Sequence, residues 1–218
     1  NKLGEKMSVN IGVLGQVLFS PMKAFESIRD KTTMADGIIM AVILSLIAGI
    51  ISMVVVSSLV GITVTGLIIG VVMAVVVVLA VGWLSSVLAK AIFKGSGDMN
   101  VTVGLLGYAG VVNLVMQVLR TLLAVAGVSL IAVSVTPYGG VAAGMTAIGW
   151  VIALVAFIWT LYVSGSAVAV ANKINLVGGA VSYFIAALII GLILGVILAA
   201  ILLSAGGMAG LGLMGGLM

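Results

Sequence analysis

Three polar side chains, Asn113, Gln117 and Arg120, stand at helical spacing inside one otherwise apolar region. Separations of four and then three residues place them on one helix face, where they could line a polar seam or a water-filled cavity. The chemistry of such a face is anion recognition, because a lone guanidinium attracts anions and repels cations. A structural reading carries more weight. In it Arg120 lies close to the outer headgroups and extends its guanidinium to phosphate, while Asn113 and Gln117 bond neighbouring helices. All 5 acidic residues fall on or near the inner side. Arg120 therefore lacks an obvious carboxylate partner in its own chain, which argues against a buried ion pair and against a carboxylate proton relay.

Other routes to chemistry are closed by composition. The chain has no Cys and no His, which removes disulfides, thiolate or imidazole metal sites, thiol nucleophiles and the commonest general base. Its glycine clusters are not followed by the Lys-Ser/Thr of a phosphate loop or the Ser-x-Gly of a nucleophile elbow. No catalytic residue, cofactor or metal is expected, and an enzyme is not expected. The net charge of +4, from 9 Lys and Arg against 5 Asp and Glu, is too dilute for the basic stripe of a nucleic-acid binder. The only prolines, Pro21 and Pro137, lie outside the clear apolar runs, so the broken helices of a secondary transporter are not apparent.

The elements that must position these residues are membrane spans. With 64% hydrophobic and 6% charged residues, the chain is far from the roughly 45–50% and 25% of a soluble domain. A helix crossing about 30 Å of hydrocarbon needs about 20 apolar residues. Four runs meet that need without an ionised side chain: 38–60, 65–89, 142–171 and 177–203. A further region, 104–135, holds the three polar residues and reads as one tilted helix, a helix plus an interfacial segment, or a re-entrant hairpin.

Charge arbitrates the count. With five spans and the N-terminus inside, Lys2, Lys6, Lys23, Arg29, Lys31, Lys90, Lys94 and Lys173 are all cytosolic, whereas six spans would move Lys173 outside. The expected fold is all-α: a polytopic integral membrane bundle of five transmembrane spans, preceded by a short interfacial amphipathic helix. Residues 1–36 form the cytosolic N-terminal segment, 37–203 the transmembrane domain and 204–218 a flexible tail rich in Gly and Met. No cleavable signal peptide is expected, and the first span does the targeting.

Before that span, Ser20 and Pro21 read as a helix start. Pro21 is followed by Met22, Phe25 and Ile28 on one face, with Lys23, Glu26 and Asp30 on or near the other. That is the pattern of a helix lying in the headgroup plane, and equally of a linker helix packed under the bundle. In the inner loop, Asp98, Asn100 and Thr102 are available to cap the next helix. Phe93, Tyr108, Tyr138 and Tyr183 read as headgroup anchors, and Trp159 near mid-membrane needs an acceptor for its indole N–H. Small-residue lines such as Ala41, Ser45, Gly49 and Gly191, Gly195, Ala199 would admit close helix approach.

Three stretches resemble the Yip-domain family, the Ypt/Rab-interacting membrane proteins and their prokaryotic relatives. Residues 18–28, Leu-Phe-Ser-Pro-Met-Lys-Ala-Phe-Glu-Ser-Ile, are similar to the family's opening segment. Leu106-Gly107-Tyr108-Ala109 is similar to the start of its third span, and residues 159–172 resemble its fourth. The resemblance covers most of 9–203 and implies five helices with a cytosolic N-terminus. The proline that often follows the glycine-tyrosine element is absent at 111–113, and the long acidic or aromatic N-terminal region of eukaryotic members is missing. A bacterial or archaeal cell-membrane member is therefore expected rather than a GTPase binder.

The function expected is that of a non-enzymatic membrane organiser, scaffold or subunit of a larger membrane complex. Its partners are the lipid bilayer and other membrane proteins, a second copy of this chain among them, and not nucleic acid. The alternative is a small anion-preferring channel or transporter using the Asn113, Gln117, Arg120 face.

Overall fold

The computed structural model describes residues 11–60, 64–128, 131–135 and 141–215, and of 54–60, 131–135, 141–143 and 201–215 it describes the backbone alone. After a 3-10 turn come two short helices, α1 (Leu14–Phe19) and α2 (Pro21–Ile28). The long elements follow: α3 (Met34–Val60), α4 (Val64–Phe93), α5 (Met99–Ala109), α6 (Val111–Val125), α7 (Ala147–Asn172) and α8 (Leu176–Gly215). Between α6 and α7 lies an antiparallel ribbon of β1 (Ile131–Val135) and β2 (Val141–Met145), in register Ile131 to Met145 and Val135 to Val141. Among the described residues five stretches are long and apolar enough to cross a membrane, with α5 and α6 together forming the third of them. The protein is an integral membrane helix bundle.

The helix starts follow from their capping residues. Thr33 and Asp36 close on each other ahead of α3. Thr33 donates to Asp36 Oδ2 from its backbone N–H at 2.9 Å and its hydroxyl at 2.8 Å, and Asp36 N–H donates back to Thr33 Oγ1 at 3.3 Å. This reciprocal pair starts the helix at Met34, four residues ahead of the apolar run. Asp98 caps α5 by accepting from the Asn100 amide at 2.9 Å, and Thr146 caps α7 by accepting from the Gly149 amide at 3.1 Å.

Region 104–135 resolves into one span, Met99–Val125, interrupted only by the turn at Gly110. The remainder enters the ribbon. Residues 142–145, read from sequence as the opening of the next span, are strand, and α7 begins only after Thr146. Apolarity alone does not separate a short strand from a helix end, and the alternating Ile131, Val133, Val135 has the β-branched period of two. At the other end of the chain, α8 passes residue 203 without a break and continues to Gly215.

The centre of the bundle is α5. All its residues from Thr102 to Ala109 are buried, with α3, α4 and α7 packed around it. Glycine makes this possible, since a Cβ at Gly107 would strike the Gly37 backbone of α3, and one at Gly82 of α4 would meet Val103 at 2.7 Å. Tyr108, read as a headgroup anchor, is instead among the largest fully buried side chains. On the far side α7 and α8 approach through Gly165 and Gly179. Leu154 and Ile158 of α7 and Leu192 and Val196 of α8 remain exposed, which gives the bundle a lipid-facing surface.

The N-terminal helices belong to this bundle. On α2, Pro21, Phe25 and Ile28 are buried and Met22 is half-buried, while Lys23 and Glu26 are exposed. Its apolar face turns toward α7, the packed-linker arrangement.

Candidate functional site

The polar face of α6 begins just beyond the turn at Gly110, three residues before Asn113. Gln117 Nε2 donates to Ser52 Oγ of α3 at 2.8 Å, and that hydroxyl donates to Ala48 O at 2.9 Å. The pair also acts as a depth gauge. Ser52 lies about 27 Å along α3 from Met34 at about 1.5 Å per residue, and Arg120, one turn past Gln117, lies roughly 30 Å from that start. This equals the thickness of the hydrocarbon core. Arg120 is exposed there, at the end of the span remote from the acidic residues.

Asn113 is also exposed. It sits at the rim of a cavity of about 380 Å³ bounded by α3, α4 and the α5–α6 turn, whose lining includes Leu44, Ser45, Gly49, Gly70 and Gly110. The three residues of the predicted polar face therefore diverge in role. Gln117 is engaged with α3, Asn113 lines the cavity, and Arg120 is exposed one turn beyond Gln117.

A second polar cluster went unread in the sequence. Asn172, the last residue of α7, is fully buried. Its Oδ1 accepts from Ser86 Oγ of α4 at 3.2 Å, and its Nδ2 donates to Thr102 Oγ1 of α5 at 3.1 Å and to Val168 O at 3.0 Å. Its backbone oxygen accepts from the Ser96 amide at 3.1 Å. One side chain and its peptide thus hold α4, α5, α7 and the 94–98 loop together. Gly97 seats that loop, because a Cβ there would enter the Ala171–Asn172 backbone. The only available signal was Ser85-Ser86 interrupting an apolar run and an asparagine ending another; their meeting depends on the fold.

Around this cluster Lys90, Lys94 and Lys173 are exposed. Lys94 and Lys173 both take left-handed backbone angles, φ 56° and 54°, and Lys173 terminates α7. Both lysines follow helix C-termini, where positive charge is favoured by the helix dipole. Near mid-bundle, Trp159 Nε1 donates to Leu18 O of α1 at 3.2 Å, which supplies the acceptor its indole required. Among the described residues, no three acidic side chains gather as a metal site would need.

A protein-family model described as the Yip1 domain matches residues 15–199. No curated protein and no solved structure matches the chain.

Proposed function

The chain belongs to the Yip1 domain family, and on that premise we propose that it is a non-enzymatic membrane organiser or a subunit of a larger membrane complex, with its N-terminus in the cytosol. The observation that carries this reading is the Asn172 cluster. Its bonds to Ser86, Thr102 and the Ser96 amide fasten the inner loop to the helix ends, so that exposed Lys90, Lys94 and Lys173 form a fixed cationic surface. A surface held this way suits docking of an acidic protein segment or anionic headgroups. The engagement of Gln117 by Ser52 supports the same reading, because a side chain bonded between helices is a packing element rather than a conduit wall.

Two measurements test the proposal. A photoreactive side chain at Asn100, introduced in the native membrane, is expected to give discrete adducts with another membrane-associated protein or a second copy. Absence of adducts under conditions where the chain is fully expressed removes the docking surface. Vesicles reconstituted with the full chain are expected to leak chloride no faster than protein-free vesicles. Chloride flux that disappears in Arg120→Gln would replace the organiser reading with conduction.

A further inference from the structure

We propose that the cavity beside Asn113 holds one acyl chain of an anionic phospholipid whose phosphate pairs with Arg120, an inference independent of the organiser reading. The cavity runs along the bundle from the level of Ala41 to that of Ser52, about 16 Å at about 1.5 Å per residue. Its walls are apolar or small, as at Leu44, Gly49, Gly70 and Val71. Gly66, Gly70 and Asn113 at its rim are exposed, so it opens sideways into the hydrocarbon. Water has few partners in such a place, and lipid is the molecule at hand.

Lining and opening suit an alkyl chain. An alkyl chain about 5 Å across and 16 Å long occupies about 300 Å³. The cavity is about 380 Å³ and its walls are mostly apolar, a lining suited to such a chain. It also falls within the roughly 300–1,000 Å³ of small-molecule sites.

Charge then selects the headgroup. Asn113 and Arg120 are seven residues apart on α6 and share a face, so the guanidinium stands two turns beyond the cavity rim, at the boundary of the hydrocarbon. The single ion pair among the described residues, Arg29 with Asp30 at 3.4 Å, lies ahead of α3, at the opposite end of the bundle. Arg120 is left facing the leaflet at the C-terminal end of α6, where a phosphate is its natural counter-ion and the planar fork of donors fits two of its oxygens. Asn113, seven residues before Arg120 on α6, lies about 10 Å deeper at about 1.5 Å per residue, at the level of the acyl chain.

The test uses the full chain in vesicles of equal phosphatidylglycerol and phosphatidylcholine, each in turn carrying a photoactivatable group in its acyl chain. Adducts are expected to concentrate on α3, α4 and the Asn113 turn rather than on the exposed faces of α7 and α8. Lipid retained by the solubilised protein, weighed by native mass spectrometry, should favour phosphatidylglycerol about fivefold, the factor expected of one cation at a headgroup surface. Arg120→Gln should bring that preference to parity. Gly70→Leu places a branched side chain in the cavity, from a position where a Cβ meets nothing within 4 Å. It should abolish the adducts while leaving the thermal midpoint unchanged or raised. The proposal fails if adducts are as dense on α7 and α8, if Gly70→Leu leaves them in place, or if Arg120→Gln keeps the preference. It fails equally if the cavity cross-links to a helix of a second copy.

Discussion

At the scale of single residues, Asn172 does the most with the fewest atoms. Its carboxamide satisfies partners 86 and 70 residues away in sequence, at a depth where no water replaces a lost bond. Asn172→Ala leaves Ser86 without its acceptor and should cost about 1–3 kcal/mol. Melting followed by tryptophan fluorescence in one detergent checks this, and an unchanged midpoint would show the cluster to be incidental. The neighbouring Lys173 gives a variant of opposite sign. Its left-handed backbone, φ 54°, costs a side-chain-bearing residue about 1–2 kcal/mol, which glycine avoids. Lys173→Gly should therefore raise the midpoint by the equivalent of about 0.5–1 kcal/mol, allowing for the greater freedom glycine brings to the unfolded chain. A fall would mean that the lysine's charge at the end of α7 outweighs its strain. Neither behaviour was legible in the sequence, where Asn172 is one polar residue ending an apolar run and Lys173 only an orientation signal.

At the scale of elements, glycine decides which helices touch. The chain's five Gly-x-x-x-Gly pairs are close to the number its 30 glycines would produce at random, and the contacts that matter ignore that spacing. Gly37 meets Gly107, and Gly165 meets Gly179, in each case across two helices. Gly107→Val would drive a branched side chain into the α3 backbone, which cannot retreat as a flexible side chain can. Destabilisation at or beyond the upper end of the about 1–3 kcal/mol of ordinary overpacking is expected. Gly191→Val provides the control, since a Cβ at Gly191 meets nothing within 4 Å. A midpoint unchanged or slightly raised is expected there. Equal losses at the two sites would contradict the central placement of α5. Helix existence was readable from apolar runs of sufficient length, whereas the order of packing was not, because a run such as 65–89 is apolar on every side and names no preferred face. For the same reason Tyr108 looked like an anchor at a helix end until the contact of α3 with α5 enclosed it.

At the scale of the whole molecule, the five-span count makes a geometric demand that the absence of cysteine makes easy to test. Single cysteines at Ser129 and at Asn175 should react with a membrane-impermeant maleimide from opposite sides, and labelling from the same side would remove the odd number of spans. Membrane residence and the number of spans were legible in the sequence alone, whereas the third span, Met99–Val125, ends ten residues before the region 104–135 read for it. Burying a charge in hydrocarbon costs roughly 2.5–3.5 kcal/mol on insertion scales, a penalty that acts locally and writes itself as charge-free runs. The interfacial reading of Pro21, Met22, Phe25 and Ile28 stopped at an amphipathic pattern, since a helix facing lipid and one facing protein show the same apolar stripe. Tertiary structure turned that stripe onto α7, divided Asn113, Gln117 and Arg120 among a cavity rim, a helix contact and an exposed position, and gathered Asn172, Ser86 and Thr102 into one cluster. Those outcomes depend on which helices become neighbours, a choice made by steric fit between glycine-lined backbones that lie far apart along the chain.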